Sequence, residues 1–233
     1  MSRLVRLDRL DSLNLAKSGI YEKFETSYVR KSVKPGMTFI DVGAHIGYYS
    51  TMAAALVKQT GTVHAFEPMP DNLAALRENA AQYRGTIHVH PVALSDACGR
   101  ATLTLNPKNT GDNRLSPVEG WPMIEVETTT LDEALPDTVA DFIKIDAQGS
   151  ETAILRGAKA LIERSPNLTG IIEYAPFLLG YAGSSGMELI ALLRNYGFSV
   201  GMNKGSRIVP AKGELLPPHK RRFINIFIRR RPW

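Results

Sequence analysis

Carboxylates spaced around a glycine turn are the residues of this chain best placed to do chemistry. The apolar run 38–42 carries Asp41 near its end, and Gly43 and Gly47 follow with Ala44, His45 and Ile46 between them. Glu67 stands 20 residues beyond Gly47, closing a second apolar run at 63–66. Residues 48–57 between the two runs read as a helix. The stretch is therefore a βαβ unit, whose ligands bind outside the carboxyl ends of the strands. The spacing separates two cofactors. A dinucleotide fingerprint, G-x-G-x-x-G, brings bare backbone against a pyrophosphate at a helix N-terminus. Here the second of those glycines is missing, and Asp41 puts a negative charge before the turn. That charge repels a pyrophosphate and attracts the cationic end of an amino acid or a sulfonium, which favours S-adenosylmethionine over NAD. Glu67 suits either, because a carboxylate there accepts hydrogen bonds from both ribose hydroxyls of an adenosine.

The elements that must position these acids follow from the hydrophobic period. Residues 70–84 place Leu73, Leu76, Ala80 and Tyr83 on one helical face, stopped by Gly85. Residues 87–92 read as a third strand ending near Ala93-Leu94-Ser95-Asp96. Two short strands, 101–105 and 124–129, bracket a polar loop. Thr130 to Glu133 forms a capping box for a short helix. Residues 141–146 form a fourth buried strand ending in Asp146, with Ser150 expected to cap a helix over 151–164, and 171–174 form a fifth strand carrying Glu173. A second capping box, Ser185 to Glu188, opens a helix that stops at Gly197. The closing strands 198–202 and 222–228 are joined by a loop and not a helix, hence antiparallel. This order predicts an α/β, class I methyltransferase Rossmann-like fold: a mostly parallel seven-stranded sheet with an antiparallel C-terminal strand and helices on both faces. Asp41, Glu67, Asp146 and Glu173 would then meet at one carboxyl edge.

The 233 residues, 44% of them apolar and undivided by any linker-like stretch, are expected to form one domain. Residues 1–34 would be a helical cap on the acceptor side and 35–233 the core. Arg3, Arg6, Asp8, Arg9 and Asp11 interrupt the leucines of the N-terminal stretch, unlike a signal peptide. No apolar run reaches the ~18 residues of a membrane span, and the lone Cys98 suits a reducing compartment, so a cytoplasmic location is expected. The net charge of +5 is uneven: from Lys204 onward nine Lys/Arg face one acid, Glu214, leaving +8 in this tail and −3 elsewhere. Basic residues flanking the apolar run 223–228 read first as protection of an edge strand. The alternative is peripheral contact with an anionic surface. No D-D or D-x-D pair argues for a metal, and Asp146-Ala147-Gln148-Gly149 lacks the N-P-P-Y pattern that stacks a flipped base, so neither a metal nor a nucleic acid is expected.

Taken together, Phe39-Ile40-Asp41-Val42-Gly43-Ala44-His45-Ile46-Gly47, Phe66-Glu67-Pro68, Ala93-Leu94-Ser95-Asp96, Thr130-Leu131-Asp132 and the more specific Ile143-Lys144-Ile145-Asp146-Ala147-Gln148-Gly149-Ser150-Glu151 resemble the FkbM-type S-adenosylmethionine-dependent methyltransferases. The resemblance implies an O-methyltransferase acting on a hydroxyl of a small molecule or glycan, as in natural-product biosynthesis. It departs at His45, where the family usually has Asn. By the same implication Asp41, Gly43, Ala44 and Gly47 hold the methionine end of the cofactor and Glu67, followed by Pro68, the ribose. Ala93, Leu94 and Ser95 take the adenine edge, Glu25 and Thr26 close over the methionine carboxylate, and Asp146 lies nearest the transferred methyl. Methyl transfer needs in-line alignment and a base for the hydroxyl proton. The candidates are Asp146 and Glu173, then His45, whose structural reading is the stronger. Lys144 is expected to pair with a carboxylate. The loop 109–114 is an acceptor lid or a plain surface loop. A carrier-bound, lipid-linked or nucleic-acid acceptor, or a catalytically silent cofactor-binding protein, are the rival readings.

Overall fold

The computed structural model describes residues 4–213, 215–217 and 221–233. In chain order the elements are α1 (Leu15–Ser18), α2 (Lys23–Ser32), β1 (Thr38–Val42), α3 (Tyr48–Val57), β2 (Thr62–Phe66), α4 (Pro70–Ala80), β3 (Ile87–His90), β4 (Ala93–Leu94), β5 (Gly99–Thr104) and β6 (Met123–Thr129). They continue as α5 (Leu131–Ala134), β7 (Phe142–Ile145), α6 (Glu151–Arg156), α7 (Lys159–Glu163), β8 (Thr169–Tyr174), α8 (Pro176–Tyr181), α9 (Gly186–Asn195), β9 (Ser199–Lys204), β10 (Arg207–Pro210) and β11 (Ile224–Arg229). The main sheet runs β10-β9-β11-β8-β7-β1-β2-β3, and β4, β6 and β5 form a small second sheet. Strands β3, β2, β1, β7 and β8 are parallel, and β11 is antiparallel to both β8 and β9.

The main sheet has eight strands and not seven. The extra one, β10, folds back antiparallel on β9 after a turn at Gly205-Ser206. A second difference concerns the tail. Strand β11 lies between β8 and β9, hydrogen-bonded on both sides, while the sheet edges are β3 and β10. Its flanking arginines therefore guard no edge. Arg230 instead donates to the carbonyls of Tyr196 and Ile162 and lies 4.4 Å over the Phe198 ring, and Arg229 lies 3.9 Å over Trp233. Glu214 and Lys220 of the basic tail fall outside the described residues.

Both faces of the sheet are covered, which is why its strands read as near-continuous apolar runs. On one face Phe39, Phe142, Ile171 and Phe227 pack under α2 and α3, with Phe39 and Phe142 stacked at 5.1 Å. On the other, Ile40, Val42, Ile143, Ile145 and Ile172 belong to the larger core beneath α6, α7 and α9. Side chains alternate along a strand, so Asp41, Lys144 and Glu173, two residues beyond Phe39, Phe142 and Ile171, share the α3 face at the carboxyl edge. Asn225 joins them from the antiparallel β11, in register with Glu173.

Local chemistry adjusts several expected boundaries. The helix expected over 151–164 is two helices, broken at Gly157-Ala158. A Cβ on Gly157 would stand 2.3 Å from the Ser95 carbonyl oxygen, so only glycine lets that loop rest on the helix. Ser150 makes no cap, and the Glu151 carboxylate instead accepts from the amides of Ala147 (3.0 Å) and Gly149 (3.1 Å). Thr130 and Ser185 do cap, accepting from the amides of Glu133 and Glu188. The N-terminal cap is helical only in α1 and α2. Ahead of them the chain is strapped down by Asn79, whose Oδ1 accepts from the amides of Val5 and Arg6 and whose Nδ2 donates to the carbonyls of Arg6 and Ile46.

The edge pair β2 and β3 brings three histidines onto one face: His64 Nδ1 lies 3.2 Å from His90 Nε2, and the rings of His64 and His88 are 5.4 Å apart. Burial, reinforced by the two neighbours, pushes His64 down to about 4. A base whose folded pKa is depressed protonates more readily when unfolded, so its stabilisation is complete above an unfolded value of about 6.5 and is lost as pH falls from there toward 4. The urea midpoint should drop between pH 7 and 5, and His64→Asn should flatten that drop. Equal slopes for the two proteins would remove the cluster from the acid response.

Candidate active site

The site begins with a backbone conflict that one glycine resolves. Gly43 has φ +73, and a Cβ there would stand 1.9 Å from the Asp146 carbonyl oxygen, so β1 and β7 can end side by side only if position 43 is bare. Two residues on, His45 is also left-handed, at φ +53. Asn and His are among the few side chains that enter this region readily. This conformation points the His45 amide at Glu67, whose Oε2 accepts it at 2.9 Å while Oε1 accepts the Met69 amide at 2.9 Å. Burial pushes the Glu67 carboxyl up to about 7 against these hydrogen bonds.

Behind the turn lies a buried ionic cluster. Asp41 is buried, accepts from Ser50 Oγ at 2.5 Å, and is in register with Lys144 on β7. Lys144 Nζ lies 3.0 Å from Asp146 Oδ2 and 4.8 Å from the Tyr49 ring centre. Burial alone would lower the ammonium's pKa, but Asp146, Glu22 and Asp41 outweigh it and hold Lys144 charged. Tyr49 Oη donates to Glu22 Oε2 at 2.8 Å, and Asn225 Nδ2 donates to Glu22 Oε1 at 2.8 Å. Glu173 is 5% exposed with no partner for its Oε2, and burial, then the charges of Asp146 and Glu151, raise its pKa well above the carboxylate range.

Two cavities open from this edge. A slot of about 80 Å³ is walled by Phe66, Val92, Leu94, Leu103, Leu115 and Ile154, with Glu67 and Asn72 at its side. A chamber of about 920 Å³ takes in Asp41, Ala44, Lys144, Glu173 and the aromatic rings of Tyr21, Tyr48, Tyr49 and Trp121. Gly43, His45, Asp146 and Gln148 from the sheet edge, and Gly111 and Arg114 from the loop above, line both cavities and form their seam.

The sequence-derived residues divide accordingly. Asp41, Gly43, Ala44, His45, Glu67, Pro68, Ala93, Leu94, Asp146 and Glu173 all line one cavity or both, and Gly47 shapes the turn. Three do not reach. Ser95 lines neither cavity, and its Oγ lies 3.3 Å from Asp96 Oδ1. Thr26 is turned inward, donating to the Tyr21 carbonyl at 2.7 Å with Tyr48 Oη 3.1 Å away, and Glu25, next to it in α2, lines neither cavity. The N-terminal segment contributes Tyr21 to the chamber and Glu22 to the cluster instead, because α2 starts at Lys23 and the residues before it turn in. Glu22, Asn72, Gln148 and Arg114 are site residues that motif spacing did not reveal.

His45 is structural as well as positional. Its Nε2 lies 2.9 Å from Thr110 Oγ1 and 3.4 Å from Ser12 Oγ, while Asn72 Nδ2 donates to the Thr110 carbonyl at 3.1 Å. The 109–114 loop is thereby the roof of both cavities. Burial lowers the imidazole's pKa and keeps it neutral.

These residues fit S-adenosylmethionine. An apolar slot beside a strand-end carboxylate suits an adenosine, the acid-rich chamber suits a sulfonium, and the buried, unpartnered His45 Nδ1 and Asn72 Oδ1 leave hydrogen-bonding capacity for a polar ligand. The slot is narrow, with Thr110, Arg114 and Leu115 among its lining residues. Among the described residues no group of three or more His, Cys, Asp or Glu is disposed to hold a metal ion, and no helix is long and apolar enough to cross a membrane.

Glu67→Gln should weaken S-adenosylmethionine and S-adenosylhomocysteine alike by about tenfold, the scale of a lost hydrogen bond to a charged acceptor, since both carry the ribose. Calorimetric titration with each ligand checks it. Loss of S-adenosylmethionine binding alone would instead put Glu67 beside the sulfonium.

Comparison with known proteins agrees with this geometry. The Methyltransferase FkbM domain model matches residues 41–200. The chain is 31% identical to the 31-O-demethyl-FK506 methyltransferase FkbM of Streptomyces tacrolimicus, over 74% of this chain and 77% of that one. It is 28% identical to the hexuronic acid methyltransferase AglP of Haloferax volcanii, over 50% and 48% of the respective chains. Among solved structures, a SAM-dependent methyltransferase from Aquifex aeolicus shares the fold with a TM-score of 0.52 at 16% identity, covering 96% of this chain and 98% of that one. A SAM-dependent O-methyltransferase from Thermotoga maritima does so with a TM-score of 0.52 at 13% identity, covering 94% and 70%. The chain thus belongs to the FkbM methyltransferase family and is an S-adenosylmethionine-dependent methyltransferase.

Proposed function

We propose that this enzyme methylates a hydroxyl group of a small-molecule or glycan acceptor held in the large chamber, with Glu173 as the base. The observation that carries this reading is the Glu173 carboxylate, buried in the chamber wall with one oxygen free of any partner. Asp146, expected from sequence to lead, has both oxygens engaged: Lys144 holds Oδ2 and Gln148 Nε2 donates to Oδ1 at 2.8 Å. It is a positioning residue at the seam. The names of two relatives, a 31-O-demethyl-FK506 methyltransferase and a hexuronic acid methyltransferase, support an oxygen acceptor on a small molecule or sugar.

When bound, S-adenosylmethionine supplies an electrophilic methyl group. The chain's own contribution is alignment and proton removal. Gly43 and Asp146 fix the seam where slot and chamber meet, so an acceptor in the chamber reaches the slot only there. Glu173, made more basic by burial and by the neighbouring Asp146, accepts the hydroxyl proton. Lys144 stays charged throughout, paired with Asp146 and in register with Asp41. At the chamber's mouth stand Arg221 and the 58% exposed Phe223. Arg221 thereby brings one cation of the basic tail to the acceptor chamber, where an anionic carrier or surface would meet it.

Glu173→Gln should keep S-adenosylhomocysteine affinity within about twofold and cut kcat by about 10². A base works only when ionised. The wild-type kcat should therefore climb with pH through a value above the ordinary carboxylate range, whereas the variant's profile should be flat. Undiminished turnover in the variant would return the proton to Asp146.

A further inference from the structure

Resting on the acceptor chamber assigned above, we propose that Arg114 is an anion receptor in its roof, so that the acceptor carries a carboxylate close to the hydroxyl that is methylated. Arg114 is only 7% exposed. Its backbone is pinned to the end of β5 through a two-way pair with Thr104, at 3.1 and 2.8 Å. The guanidinium stacks 5.2 Å over Trp121, and one terminal nitrogen donates to Asp112 Oδ1 at 2.5 Å. The Nε–H has no partner, and neither do the buried hydroxyls of Thr104, at the end of β5, and of Ser116, two residues beyond Arg114. A buried polar group without a hydrogen bond is costly, and a guanidinium presents its donors as a planar fork matched to a carboxylate. Here the fork is held by the Trp121 ring, by Asp112 and by the backbone pair, on a residue that lines both cavities.

Charge and position say which anion it meets. The floor beneath it is acidic, with Asp41, Asp146, Glu173 and Glu22 facing one ammonium, so a cationic ligand is held from below. Of that cofactor's groups only its carboxylate could meet a roof cation. Asp41 and Ala44, assigned to the amino-acid end of the cofactor, line the chamber alone, whereas Arg114 lines slot and chamber together above Asp146. Arg114 therefore borders the reaction seam. A hydroxy acid whose carboxylate met Arg114 would have a neighbouring hydroxyl held toward Asp146 and Glu173, which makes Arg114 a specificity-determining residue.

The test titrates the enzyme, saturated with S-adenosylhomocysteine, with glucuronate and with glucose, which differ only in the C6 carboxylate. The wild type should bind glucuronate at least about tenfold more tightly, the scale of a charge-assisted pair. Arg114→Gln should abolish the preference. Arg114→Lys, which keeps the charge and a comparable melting temperature, should retain less than half of it on the logarithmic scale. Glu173→Gln should keep the full preference, so that a failure of the base assignment leaves this result standing. Equal affinity for the two sugars, absence of binding by both, or an unchanged preference in Arg114→Gln would overturn the proposal. So would Arg114→Gln weakening S-adenosylhomocysteine but not 5′-methylthioadenosine, which lacks the amino-acid carboxylate, for then the anion is the cofactor's own.

Discussion

A single buried ammonium, Lys144, allows four carboxylates to share the carboxyl edge of this sheet. Taking each such charge out of water costs several kcal/mol unless it is paired in good geometry. Lys144 meets Asp146 directly, faces Asp41 across the β1–β7 ladder, and lies over Tyr49, whose hydroxyl reaches Glu22. Glu22 in turn is held by Asn225 on β11. One cation thereby ties the segment ahead of α2, helix α3 and three strands into a single ionic ring. The ring is left with more acid than base. That excess is a defect for folding, since Glu22, Asp41 and Glu173 all have raised pKa values with burial as the leading cause. It is a preference for a cation when one arrives.

The turn above the ring is equally constrained. Gly43 must be bare because the chain passes against the Asp146 carbonyl, and His45 must be left-handed to give its amide to Glu67. Once the backbone is fixed, the imidazole is free to hold the roof through Thr110 and the N-terminal segment through Ser12, which Asp8 braces at 3.0 Å. The family's usual Asn would satisfy the same backbone region with a shorter reach. In this chain the longer side chain takes on the roof.

Most of the fold was legible because its signals are local. Apolar runs ending in acids marked β1, β2, β7 and β8, and hydroxyl caps marked α5 and α9. What escaped depends on contacts distant in sequence. The four-residue strand β10 is defined only by its pairing with β9, and β11 reads as an edge until β8 and β9 flank it. In the site, the acids at strand ends were visible because strand direction aims them at one edge. Glu22 was not, because it sits in irregular backbone held by Asn225 far along the chain, and Arg114 was visible only as a member of the 109–114 loop, its orientation set by Thr104 and Trp121. Glu25 and Thr26 were expected at the cofactor, but α2 starts at Lys23 and it is Glu22, just ahead of it, that joins the cluster.

Slot and chamber share one roof, and this constrains how the two ligands communicate. Gly111 and Arg114 line both cavities, so the loop cannot lift from the slot without altering the chamber wall. The roof is fastened to the cofactor turn by His45 and to α4 by Asn72, and the His45 amide is fastened to Glu67. A ribose drawing on the Glu67 carboxylate therefore acts on the same residue that holds Thr110 down. Three hydrogen bonds, from Glu67 through His45 to Thr110 and from Thr110 to Asn72, thus connect the strand-end carboxylate beside the slot to the loop that also lines the chamber.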